Sequence, residues 1–166
     1  IENDLSNYIH GIEINKDNCI QCIKNLNTIA KSFNLNLQNI SWNILNEDAL
    51  LVSEFNNKMD FVVANPPYTD SADFGPELKS FVEDNYKKPY KVNTNLYSCF
   101  IKRCCELAGE DGKVGMVNPP TFMYIKTFEE TRKFILEKTH INLFVEWGYL
   151  GMFSSFARVD SAMFML

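Results

Sequence analysis

The order of apolar runs predicts an α/β fold with a mostly parallel sheet and an antiparallel last strand. Three observations carry the prediction. Strand-like runs alternate with segments of helical spacing over most of the length, as in strands joined by crossover helices. "MDFVVAN" (59–65) is apolar at successive positions, as a strand covered by helices on both faces would be. "INLFVEWG" (141–148) and "VDSAMFML" (159–166) have only a loop between them, which leaves no crossover helix and makes one of them antiparallel.

Each element has its own signal. "YIHGIEI" (8–14) alternates in part and reads as a strand ending near Glu13. In 16–33, Cys19, Ile23, Leu26, Ala30 and Phe33 recur at helical spacing and form one apolar face. "ISWNIL" (40–45) is a second strand, followed by "NEDAL", and 59–65 is the third. Residues 70–92 are polar and rich in Asp, Lys and Pro, a loop with one short helix around 76–84. A helix over 95–108 leads through a Gly turn to a fourth strand, "GKVGMVNP" (112–119). A helix over 127–138 opens with Thr127 and Glu130, the spacing of a capping box.

At 166 residues the chain is one domain or a piece of one. A hydrophobic fraction of 46% supplies a core, and 13% aromatic residues suit a packed interior or an aromatic-lined cleft. The net charge of −5 argues against a surface that coats nucleic acid, though not against a local DNA site. No apolar run approaches the roughly 18 residues of a membrane span, and no charged-then-apolar leader opens the chain. The start at Ile1, without Met, reads as an interior piece. Five cysteines without a secretion signal argue for free thiols and a cytoplasmic origin. Cys19 and Cys22 make C-x-x-C, but both lie along a helix with no partner pair, and core packing accounts for them, as for Cys104 and Cys105. His10 and His140 stand alone, so no metal site is expected.

Three places carry chemistry. Glu13 ends the first strand, the edge where doubly wound sheets bind ligands and where a carboxylate can hold two ribose hydroxyls. Asp48 could accept from an exocyclic amine, though a helix cap explains it as well. "NPPY" (65–68) is the most informative. Proline lacks an N–H and fixes φ, so two in succession make a rigid strand exit that can leave the Pro66 carbonyl without a ladder partner. Beside it Asn65 offers an amide oxygen. Two adjacent acceptors suit an –NH₂ group that donates twice, and Tyr68 offers a flat face to a heteroaromatic ring. Acceptors on both hydrogens push the amine toward tetrahedral geometry, from which it can attack a methyl sulfonium. "VGMVNPPTF" (114–122) repeats the tripeptide, but Thr121 stands where the tyrosine would be.

"DFVVANPPY" resembles the signature of the N6-adenine DNA methyltransferases, and "HGIEIN" and "NEDAL" resemble the cofactor-binding segments that precede it in that family. The stretch from Asn95 to Ile135 is similar to the downstream half of large restriction–modification methylases, above all those of BREX-type phage-defence systems. "LGMFSSFARVDSAMFML" resembles their closing hairpin. The resemblance implies a Rossmann-like S-adenosylmethionine-dependent methyltransferase fold, with 1–166 as one partial catalytic domain. The substrate implied is double-stranded DNA with a flipped adenine, and the partners are other restriction or defence subunits. It implies that Glu13 binds the cofactor ribose with Ile14 beside it, and that Asp48 and Ala49 bind the cofactor adenine. Asn65, also expected at the cofactor, would hold the target amine with Pro66 on the bracket that Pro67 completes. Tyr68 would stack on the base, with Phe128, or else Phe122, on its other face.

The family's Gly-rich loop is expected roughly twenty residues before Glu13, ahead of Ile1. The first strand and a target-recognition domain are likewise expected outside this chain. The strands ending at Glu13 and Asn65 should then pair directly or flank a slot filled by another segment. Two other readings stay open. A protein-glutamine N5-methyltransferase shares N-P-P-Y, because a side-chain amide is also an –NH₂ on a flat group. A non-catalytic DNA-binding or assembly subunit could keep the same fold.

Overall fold

The computed structural model describes residues 1–92, 95–148 and 161–166. The chain divides into two units, Ile1–Ser53 and Glu54–Leu166, each with its own sheet.

The first unit opens with a helix that the sequence reading did not anticipate, α1 (Glu2–Tyr8). The Glu2 carboxylate ties it to the turn at 36–39, accepting from Asn36 N at 2.6 Å and Asn39 Nδ2 at 2.7 Å. β1 (His10–Ile12) pairs in parallel with β2 (Asn43–Leu45). Both strands are shorter than expected, and the chain packs closely between them: a Cβ on Gly11 would lie 2.8 Å from Ile44 Cδ1. Between them runs α2 (Lys16–Ser32), capped by Asn15, whose side chain accepts from Asp17 N and Asn18 N. Cys19 and Ala30 are its buried positions.

The second unit holds a four-stranded sheet in the order β3 (Met59–Ala64), β4 (Ala108–Asn118), β6 (Ser161–Met165), β5 (Leu143–Gly148). β3 and β4 are parallel, and β6 is antiparallel to both β4 and β5, as the short last connection required. Among the described residues β1 and β3 lie in separate sheets. By register, Val62, Ala64, Val114, Met116, Asn118, Ala162 and Phe164 share one face. α4 (Leu96–Leu107) packs on the β3–β4 side of this sheet. The opposite face of β3 corrects the expectation of a strand covered on both sides: Phe61 is 72% and Val63 87% exposed.

α3 (Pro76–Tyr86) and α5 (Glu129–Lys138) complete the unit. The expected capping box of α5 does not form. Residues Lys126–Phe128 make a 3₁₀ turn, which takes Thr127 out of the extended cap position, and Phe128 stands there instead without a side-chain cap. The true capping box is on α4, where Asn95 accepts from Tyr97 N and Ser98 reaches back to the Asn95 N–H. No helix of the described residues is long and apolar enough to cross a membrane.

Candidate active site

In the first unit the carboxyl ends of β1 and β2 lie side by side. Glu13 N extends the ladder by donating to the Leu45 carbonyl at 3.0 Å. Asn46, a residue the sequence reading passed over, locks this corner: its Nδ2 donates to the carbonyls of Glu13 (3.0 Å) and Ile14 (2.8 Å). Glu13 Oε1 accepts from Asn15 N at 2.8 Å, while its other oxygen has no protein partner among the described residues. Asp48 Oδ1 accepts from Leu50 N at 2.9 Å. That is the capping role weighed against a ligand role, but it closes a turn at 48–51 rather than a helix. Asp48 Oδ2 also has no protein partner among the described residues. The Cys19 thiol is turned inward, 3.3 Å from the Glu13 carbonyl.

In the second unit the Asn-Pro-Pro-Tyr turn leaves β3 at the same end as Asn118 leaves β4. The register explains its geometry. Val114 exchanges both ladder bonds with Leu166, so alternate residues of β4, Val117 among them, face β3. One step beyond the Ala64–Met116 pair, the donor owed to the Val117 carbonyl would be the N–H of residue 66. Proline has none. The Tyr68 hydroxyl lies 3.3 Å from that carbonyl instead, and 2.8 Å from Asn65 Oδ1. Asn65 is exposed and Pro66 buried, and the Pro66 carbonyl accepts no hydrogen bond among the described residues. Burial raises the Tyr68 phenol above its ordinary value, so at neutral pH it is a hydrogen-bond donor.

Asn95 pins the exit of this turn. Buried, it donates through Nδ2 to the Tyr68 carbonyl (3.3 Å) and to Asp70 Oδ1 (3.0 Å), while Leu96 N donates to the Thr69 carbonyl (2.8 Å). The α4 cap and the motif are thus one hydrogen-bonded piece. Nothing in the local sequence announced it beyond an Asn at a helix start. Tyr97 sets the ring of Tyr68, edge-on at 6.2 Å, with its own phenol on Thr121 Oγ1 at 3.0 Å and pushed well up by burial.

The structure brings Asn65, Pro66 and Tyr68 together. It places Phe122 and Phe128 in the core beneath them. Both are buried; Phe128 stacks on Tyr97 at 5.4 Å, and Phe122 meets Tyr97 and Phe164 edge-on. The remaining surprise is Asn118. It is fully buried, and neither polar atom of its carboxamide has a hydrogen-bond partner among the described residues.

Residues 4–153 match the family model of the Eco57I restriction-modification methylase. The chain belongs to that family. Among its relatives is the Type II methyltransferase M.BstVI of Geobacillus stearothermophilus, 26% identical over 98% of this chain and 30% of that protein. Another is the adenine-specific methyltransferase BrxX of Escherichia coli O9:H4 (strain HS), 27% identical over 57% of this chain and 7% of that protein. The chain therefore spans less than a third of the length of these relatives. A solved structure from Listeria monocytogenes, assigned to the class I S-adenosylmethionine-dependent methyltransferases, has a TM-score of 0.59 at 18% identity. The match covers 78% of this chain and 38% of that one. The fold is that of the class I methyltransferases, and the cofactor of the methylase family is S-adenosylmethionine. The first unit's acceptors fit such a group: Glu13 and Asp48 each keep one carboxylate oxygen without a protein partner among the described residues, beside backbone that side chains already fix.

Proposed function

We propose that the whole protein transfers a methyl group from S-adenosylmethionine to N6 of adenine in double-stranded DNA, within a restriction or phage-defence system. What supports the reading most is the pair of acceptors at the end of β3. Asn65 Oδ1 already receives a hydroxyl donor at 2.8 Å, and the Pro66 carbonyl is owed one. An exocyclic amine that reaches this pair can donate to both. The relative named as adenine-specific adds weight to adenine over other amine-bearing targets.

In this reading Glu13, with Ile14 beside it, holds the cofactor ribose, and Asp48 and Ala49 hold its adenine. Bound S-adenosylmethionine supplies an electrophilic methyl on sulfur. Asn65 and Pro66 orient the target amine and draw density onto its nitrogen as the N–C bond forms and the C–S bond breaks. Pro67 stiffens the bracket, and one amine proton leaves to solvent. Tyr68 yields its bond to Asn65 when the flipped base enters, and its ring then lies on the base. Rate comes from positioning and hydrogen bonding, with no covalent intermediate on the protein. Phe128 or Phe122 would serve the second face of the base only after leaving the packing it has here.

The test is methyl transfer by the full-length protein to duplex DNA and to a glutamine-containing peptide, with products identified by mass spectrometry of nucleosides and peptides. N6-methyladenine is the expected product. Methylcytosine alone, or methylglutamine alone, would overturn the reading.

A further inference from the structure

The polar segment after the motif encloses a cavity of about 400 Å³. Its apolar lining includes Phe74 and Val82, both buried. Lys79 from α3, Lys91 and Ser71 supply donors around it, and Thr127 completes the lining. These come from separate stretches of chain, so the fold has gathered them. Among the described residues neither Lys79 nor Lys91 has an ion pair or a hydrogen bond from its ammonium group. The one carboxylate among the lining residues, Glu83, is held by Lys87 at 2.6 Å. A chain with a net charge of −5 thus gathers two ammonium groups and one carboxylate at one concavity.

The position matters as much as the charge. Ser71 follows Asp70, which Asn95 ties to the backbone of Tyr68. Thr127 precedes Phe128, which stacks on Tyr97, the ring that sets Tyr68. The cavity is therefore tied to the Asn65–Tyr68 turn through short, bonded links on two sides.

We propose that this cavity takes a phosphodiester of the polynucleotide strand that carries the target base. The proposal rests on the DNA reading above and names a part of the protein that would grip the strand. Ammonium groups bind phosphate as point charges and serine and threonine hydroxyls as donors, and such contacts fix register without reading sequence. A backbone phosphate held here would anchor the strand while the flipped base occupies the turn.

The experiment uses the full-length protein with Lys79→Gln, Lys91→Gln, the double variant and Lys113→Gln. Lys113 is an exposed cation at the middle of β4, opposite Phe61 and back from the turn. Equilibrium binding to a duplex is measured across salt concentrations. Each phosphate contact contributes about 0.9 to the slope of log K against log salt for duplex DNA. The double variant should lose about that much, the share of one phosphate, and each single variant part of it, equally for cognate and unrelated sequences. Lys113→Gln should keep the wild-type slope, and all variants should keep the wild-type cofactor affinity by calorimetry. An unchanged slope in the double variant overturns the proposal. An equal loss in Lys113→Gln does so too, because it would mean a diffuse field. Inorganic phosphate that binds at Lys79 and Lys91 without displacing DNA, beyond chloride at matched ionic strength, would assign the cavity to a free anion and overturn the strand. Failure of the adenine reading is a separate event: it appears as the wrong product from wild-type protein, whereas the slope is read from binding alone.

Discussion

Two neighbouring strands of one sheet end in Asn-Pro-Pro, and the two turns have opposite surroundings. Asn65 is exposed at the end of β3, an edge strand among the described residues, and a tyrosine closes its turn. Asn118 ends β4, which lies between β3 and β6. Its two prolines are buried, and the chain continues into the 3₁₀ turn Pro120–Met123, held by Arg132 Nη1 on the Phe122 carbonyl at 2.7 Å. The tripeptide does the same local thing twice: it ends a strand stiffly and withholds ladder donors. The rest depends on place in the sheet and on the residue that follows. At the first turn Asn65 is exposed and a phenol spans Asn65 and Val117; at the second the carboxamide is shut in without partners among the described residues. The second turn also serves the first, because Tyr68 leans on the carbonyl just before Asn118.

The largest expected effect separates the two asparagines. Asn65→Ala in the full-length protein should lower kcat roughly 10²–10³-fold, the cost of removing one well-placed electrostatic partner. Cofactor affinity by calorimetry should stay within a small factor of wild type. Asn118→Val should leave kcat near wild type. Equal losses at both positions would break the comparison and make the pair one functional unit.

This contrast also marks what the sequence could tell. The strand–helix order, the antiparallel closing strand and the motif at the end of β3 were legible because they rest on local period and on proline's missing donor. The exposed face of Phe61 and Val63 was not, since apolar composition records what a face prefers rather than what covers it. Nor were Asn46 and Asn95, whose value lies in bonds to residues 25 to 33 positions away. The failed capping box at Thr127 belongs to the same class: its spacing was right, and the preceding turn decided otherwise.

Tyr68 tests the first turn from its aromatic side. Tyr68→Ala should weaken capture of the flipped base by about 1–3 kcal/mol, the range for stacking one base on a ring. Fluorescence of 2-aminopurine at the target position reads this directly. Tyr68→Phe should keep most of the activity. It removes the hydroxyl that occupies Asn65 Oδ1, so the target amine meets an acceptor already vacated. If Phe costs as much as Ala, the hydroxyl takes part in the reaction itself, and the phenol bridge between the two turns is more than a placeholder.

Glu13→Gln moves the comparison to the first unit, where function is proposed for a carboxylate rather than an amide. The loss of a charge-assisted bond to paired hydroxyls should raise the cofactor dissociation constant about tenfold. Binding of unmodified DNA should not change. Unchanged cofactor affinity would return Glu13 to the plain role it has toward Asn15, closing the corner before α2.

The smallest effect is the most diagnostic for the second turn. A buried amide with neither oxygen nor nitrogen satisfied costs about 1–3 kcal/mol relative to a paired one, and replacing it by an apolar group of compatible shape removes that cost. Valine suits Asn118 because it is β-branched, as strands prefer, and has one heavy atom fewer than asparagine, so it does not overfill the site. Asn118→Val should therefore raise the free energy of unfolding by about 1 kcal/mol, seen as a higher denaturant midpoint at constant m. Thr131→Val offers a parallel check, because the Thr131 hydroxyl on α5 is equally buried and has no partner among the described residues. Loss of stability at Asn118, with a gain at Thr131, would mean that the carboxamide finds a partner in solution, for instance a bound water. The second Asn-Pro-Pro would then be a polar support for the first rather than an inert copy of it.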